Sequence, residues 1–103
     1  MKTNKEIPGL VPLKDADKIP QIVHLFYPHA RVFVFGSRAR GDFSVTSDLD
    51  IAIDNGQALD FTTKNKIRAM IDLLNMPCKI DVIDIHQTSP EMRESIISEG
   101  IEW

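Results

Sequence analysis

The stretch RVFVFGSRARGDFSVTSDLDIAID, residues 31–54, decides the reading of this chain. Arg31 to Phe35 is a run of aromatic and β-branched residues, too short for a helix, and reads as a strand buried on both faces. Gly36-Ser37 follows as a small-residue turn. Ser37 to Gly41 reads as a short helical turn or loop, and Asp42 to Ser47 as a polar connection. Asp48 to Asp54 reads as a second strand, opened by two carboxylates two residues apart. Strand side chains alternate, so Asp48 and Asp50 fall on one face, on the order of 7 Å apart. Two carboxylates this close raise each other's pKa unless a cation lies between them. Mg²⁺ takes hard oxygen ligands and leaves room for substrate phosphates. A glycine lets a phosphate approach the backbone, and the Ser37 hydroxyl, Arg38 and Arg40 are candidate phosphate contacts. A phosphate turn beside a cation site is a pattern for handling a nucleoside triphosphate.

The flanking sequence supplies an α/β frame. Residues 1–12, with Pro8, Gly9 and Pro12, read as an irregular N-terminal arm, and residues 13–103 as one domain. Lys14 to Tyr27 carries Ile19, Ile22, Val23 and Phe26 at helical spacing, and Pro20 sets its true start near Asp17. Asn55-Gly56 marks a turn. Asp60 to Asn75 reads as a helix on Ile67, Met70, Ile71 and Leu74, stopped by Pro77. Lys79 to Ile85 is a third strand. Ser89 and Pro90 open a last helix as N-cap and first residue, Gly100 closes it as a C′ residue, and Ile101 to Trp103 form a tail. Strands interleaved with helices imply an α/β (α+β) domain, one mixed sheet with helices packed on it.

The third strand adds two carboxylates, Asp81 and Asp84, on opposite faces of an apolar run. One of them is expected to join the Asp48–Asp50 pair, and strand periodicity alone leaves the choice open. No G-x-x-x-x-G-K-[ST] or G-x-G-x-x-G pattern is present. His24, His29 and His86 share no ligand spacing, and Cys78 stands alone. A lone cysteine fits a reducing cytosol. The chain shows no apolar run for a membrane span and no leader pattern. A net charge of −3 argues against broad nucleic-acid binding.

Taken together, G-S, the ten residues from Arg38 to Ser47 and then D-x-D resemble the signature of the minimal nucleotidyltransferases of the DNA polymerase β-like superfamily. The close resemblance covers residues 31–54, and a looser one runs from Leu13 to Trp103. It implies that Asp48 and Asp50 bind Mg²⁺, two ions in all. It also implies that Asp81, first in its D-V-I-D run, completes the metal site and acts as candidate general base. By the same resemblance Gly36 and Ser37 hold the β- and γ-phosphates. The implied reaction transfers a nucleoside monophosphate, AMP from ATP, to a hydroxyl.

A chain this short buries only roughly 60–65% of its unfolded surface, which leaves little to enclose an acceptor. The resemblance supplies a source: minimal nucleotidyltransferases are often encoded beside a helical HEPN protein, and as antitoxins add AMP to that ribonuclease toxin. A cytoplasmic homo- or hetero-oligomer is expected. Two alternatives stay open here, a non-catalytic module that neutralises a HEPN partner by contact, and a transferase acting on a small molecule.

Overall fold

The computed structural model describes residues 2–103. Helix α1 spans Lys18–Phe26, strand β1 Arg31–Phe35, and the single helical turn α2 Ser37–Arg40. Strand β2 spans Leu49–Asp54, helix α3 Phe61–Asp72, strand β3 Ile80–Asp84, helix α4 Pro90–Glu99 and strand β4 Ile101–Glu102. The sheet order is β3-β2-β1-β4. β1 runs antiparallel to both β2 and β4, and β2 pairs parallel with β3. The mixed α+β sheet matches the expected fold class.

Local chemistry sets the helix ends. Pro20 lies in the first turn of α1, where its missing N–H costs nothing. The Asp60 carboxylate accepts from Thr63 N at 3.0 Å and caps α3. Ser89 Oγ accepts from Met92 N at 3.1 Å ahead of Pro90, as expected for α4.

Three readings are corrected. The tail is a fourth strand: Val34 pairs with Ile101 and Phe33 with Glu102, and Trp103 N donates to Val32 O at 2.8 Å. Gly100 ends α4 in an extended conformation, φ −67 and ψ 145, because the chain passes straight into β4. Residues 4–10, expected to be irregular, form two 3₁₀ turns, Asn4–Glu6 and Pro8–Leu10, and bury Ile7 and Leu10. Trp103 Nε1 donates to Asn4 Oδ1 at 2.6 Å, which ties these turns to the C-terminus.

The two sheet faces differ. Val32, Val34, Leu49, Ile51, Ile53 and Val82 pack against α1, α3 and the N-terminal turns in the main core. Each fully buried aliphatic side chain contributes about 1.5–3 kcal/mol. On the other face a small cluster of Phe35, Ala52, Ile85 and Ile96 sits under α4. Helix α4 packs on β1. The β2–β3 part of that face is less covered, and it carries the carboxylates.

Candidate active site

Asp50 and Asp81 face each other across the parallel β2–β3 pair, in direct register. The register between β2 and β3 therefore sets Asp81, not Asp84, beside Asp50, a choice that strand periodicity left open. Asp81 stands half-buried on the face of Asp50. Asp84 points the other way, is 1% exposed, and accepts from Leu59 N at 2.7 Å and His86 N at 2.9 Å. Its lone pairs are spent on the backbone, so it is a structural carboxylate. Asp48 lies just before β2 and is exposed.

The start of β2 is electrostatically incomplete. Burial pushes the Asp50 carboxyl above its ordinary range, and the neighbouring Asp81 and Asp48 push it further. Arg40 opposes this from nearby. Lys79 reaches Asp81 at 3.5 Å, but it is 71% exposed and neutralises little. Among the described residues no three ligand-type side chains already converge on one point. Asp48, Asp50 and Asp81 carry hard oxygens, the donor type that a divalent cation keeping waters and phosphates in its shell would take.

The Gly36 turn abuts Asp50. Gly36 has φ 73, and a Cβ there would collide with Oδ2 of Asp50. Only glycine lets the turn approach the carboxylate so closely. Ser37 opens α2, whose first N–H groups have no helical acceptor. The Gly36 carbonyl accepts from Ala39 N at 3.1 Å and Arg40 N at 3.0 Å.

The two arginines of the motif part company. Arg38, expected at the phosphates, has no exposed surface. Its guanidinium donates to Gly9 O at 2.7 Å, Val45 O at 3.1 Å and Ser47 O at 3.1 and 3.0 Å, and lies 5.2 Å from the Phe43 ring centroid. A side chain so enclosed is not available to a ligand. It staples the 42–48 connection to the N-terminal turn, where a Cβ on Gly9 would collide with Arg38 itself. Arg40 remains accessible, paired with Glu99 at 3.2 Å and Asp42 at 3.4 Å.

Sequence reasoning passed over a second polar group on the same face. His86 Nε2 lies 2.8 Å from Asp54 Oδ1. No ligand-type spacing links residues 54 and 86; the only signal is that Asp54 shares the face of Asp50. A hollow of about 730 Å³ lies elsewhere, between the N-terminal turns and α1, and includes Asn4, Gln21 and Trp103. It does not touch the carboxylates. Among the described residues no helix is long and apolar enough to cross a membrane.

Comparison with known proteins agrees with this fold. A Haemophilus influenzae protein, "Probable protein adenylyltransferase MntA", is 32% identical over 78 residues, covering 76% of this chain and 68% of that protein. A crystal structure of a toxin–antitoxin with AMP-PNP superposes with a TM-score of 0.70 at 22% identity, covering 86% of this chain and 73% of that one. The structure of a minimal nucleotidyltransferase superposes at 0.62 with 26% identity, covering 82% and 88%. A tri-AMPylated Shewanella oneidensis HEPN toxin in complex with an MNT antitoxin gives 0.63 at 20% identity, covering 84% and 67%. The family "Polymerase beta, Nucleotidyltransferase" matches residues 18–102, and the chain belongs to it.

Proposed function

We propose that this nucleotidyltransferase moves AMP from ATP to a hydroxyl on a HEPN-type partner protein, and so acts as the antitoxin of a toxin–antitoxin pair. The observation that carries the reading is the register of Asp50 with Asp81, with the Gly36 turn packed against Asp50. The adenylyltransferase relative and the antitoxin complexes with HEPN toxin support the choice of donor and acceptor.

In this reading Asp48, Asp50 and Asp81 hold Mg²⁺. Bound Mg²⁺ would supply charge neutralisation for the phosphates and for the leaving pyrophosphate. The chain's own groups do the rest. The Ser37 N–H and hydroxyl donate to the β- and γ-phosphates, and Gly36 keeps the backbone low enough for them to approach. Arg40 exchanges its solvent-exposed carboxylate partners for phosphate oxygens. Asp81 accepts the proton of the attacking hydroxyl. The acceptor oxygen bonds to the α-phosphorus as the bond to pyrophosphate breaks. Positioning and charge stabilisation supply most of the rate in such transfers.

The test is incubation of the chain with α-labelled ATP, Mg²⁺ and the product of the neighbouring gene. Label is expected on the partner, and is expected to vanish with Asp48→Ala or Asp50→Ala. An unlabelled partner, or equal labelling by the variants, refutes the reading. Neutralisation of the toxin by unreactive Asp48→Ala protein favours a contact-only antitoxin instead.

A further inference from the structure

Strand β3 carries Asp81 at the edge of the sheet, with β2 on one side and no strand on the other. Its inner side is fixed by the pairing that sets Asp81 opposite Asp50. Like charges directly opposite on neighbouring strands are destabilising, so this pair strains the attachment of the edge strand. Lys79 offsets little of that strain, because its pair with Asp81 is exposed. Holding the two carboxylates at one spacing therefore calls for a constraint on the outer side of β3.

The outer side has one. Leu49 N donates to Lys79 O at 2.8 Å, so the Lys79 carbonyl faces β2. Carbonyl directions alternate along a strand, which turns the Asp81 carbonyl toward β2 and those of Ile80 and Val82 outward. Arg68, an exposed residue of α3, reaches the outer side and donates Nη2 to Val82 O at 2.8 Å. Among the described residues no other hydrogen bond from outside the sheet reaches Ile80, Asp81 or Val82. Packing does not close the gap. A crevice of about 200 Å³ lies between α3 and β3, lined by Arg68 and Asp72 on the helix and by Ile80 and Asp81 on the strand. The Arg68 bond bridges it.

The partner that Arg68 forgoes is as informative as the one it takes. Asp72 stands four residues on, the spacing of a helical ion pair, and lines the same crevice. Among the described residues neither Asp72 nor any other carboxylate pairs with Arg68. The planar guanidinium is spent on a strand carbonyl next to Asp81 instead. We propose that Arg68 is a positioning residue of the site: by clamping Val82 O to α3, it holds the Asp81 carboxylate at the separation from Asp50 that a shared cation needs. This rests on the reading above in which Asp50 and Asp81 hold the cation.

The experiment uses the whole chain, with Mn²⁺ binding read by electron paramagnetic resonance and transfer read separately by label from ATP. Arg68→Met keeps the reach of the side chain and removes its donor and its charge. Loss of a positive charge near the site would by itself raise cation affinity. The clamp predicts the opposite, a fall of about tenfold, the lower end of what is lost when a group that orients metal ligands is removed. Arg68→Lys, which keeps a donor, is expected to recover most of the fall. In the Asp81→Asn chain, Arg68→Met is expected to change Mn²⁺ affinity by less than about twofold, since the carboxylate it positions is gone. Circular dichroism and urea unfolding check that every variant is folded under the assay conditions. Equal or tighter Mn²⁺ binding by Arg68→Met overturns the clamp. So does a fall that persists undiminished in the Asp81→Asn chain, which would make Arg68 a general support of the fold. A parent chain that binds no Mn²⁺ overturns the clamp together with the metal reading. A fall confined to chains with Asp81, where the parent transfers no label, keeps the clamp and sinks the transfer reading. Label transfer with Mn²⁺ binding indifferent to Arg68 does the reverse.

Discussion

Asp50 and Asp54 are the same residue type on the same face of the same strand, and the fold treats them in opposite ways. Burial raises both carboxyls. At Asp54 the protein then answers with Gly56 N, His86 and Arg31, which together bring the carboxyl below its ordinary range. At Asp50 the neighbours are Asp81 and Asp48, and the carboxyl stays high. One end of the strand is electrostatically finished within the chain. The other is left with carboxylate neighbours. A carboxylate neutralised within the chain and one left among like charges are thus told apart by what surrounds them, not by strand, face or residue type.

The largest expected effect breaks the unfinished end. Asp50→Asn should lower the rate of nucleotidyl transfer by roughly 10²–10³-fold or more, the scale of losing one stabilising group for developing charge. The fold should survive, since the change removes a repulsion. Measured label transfer beside an unchanged circular dichroism spectrum would sharpen the contrast. A rate within a few-fold of the parent chain would break it.

Next comes Arg38, the buried arginine of the same motif. Arg38→Ala strands the carbonyls of Gly9, Val45 and Ser47 and empties a fully buried site. A loss of roughly 3 kcal/mol or more is expected in urea unfolding. Arg38→Lys should recover only part of it, because an ammonium cannot span three carbonyls from one plane. Near-parental stability of Arg38→Ala would mean that the side chain is not the staple described.

The pH dependence of stability in Mg²⁺-free buffer should separate the two aspartates by sign. Asp50 has a raised folded pKa, so its contribution is fully present below the ordinary value, about 3.9, and is lost as pH rises through the raised value. Asp54 has a depressed folded pKa, so its contribution is present above about 3.9 and is lost as pH falls through the lowered value. Asp50→Asn should therefore flatten the decline on the alkaline side of that range, and Asp54→Asn the decline on the acid side. Thermal melts from pH 2 to 7 check this, and slopes of the same sign for both variants would contradict it.

The smallest effect concerns Lys79, which pairs with Asp81 at 3.5 Å. Lys79→Ala should change stability by no more than about 0.5 kcal/mol, because the pair is exposed. A larger loss in chemical denaturation would show that the chain partly neutralises its own site.

The legibility of the site divides along the same lines. Gly36, Ser37, Asp48 and Asp50 could be singled out as candidates because local spacing carries them: a turn after a buried strand, then alternating carboxylates. Caps and helices followed from Ser89-Pro90, Asp60 and the apolar spacing for the same reason. Arg38 and Arg40 could not be separated. They sit two residues apart in one helical turn, and only the fold brings Gly9 and Ser47 around the first of them. Strand β4 was hidden because Ile101 and Glu102 are too few to show a period, and their pairing partner lies some seventy residues earlier.

By itself, then, the sequence determined which residues could bind phosphate and cation, since chemistry and period are local properties of a chain. The tertiary structure decided which aspartate of β3 faces Asp50, which arginine is withdrawn into the interior, and which polar end of β2 lacks a cationic partner. Those outcomes depend on register between strands and on which backbone groups reach a buried charge, and both are set by contacts between residues far apart in the chain.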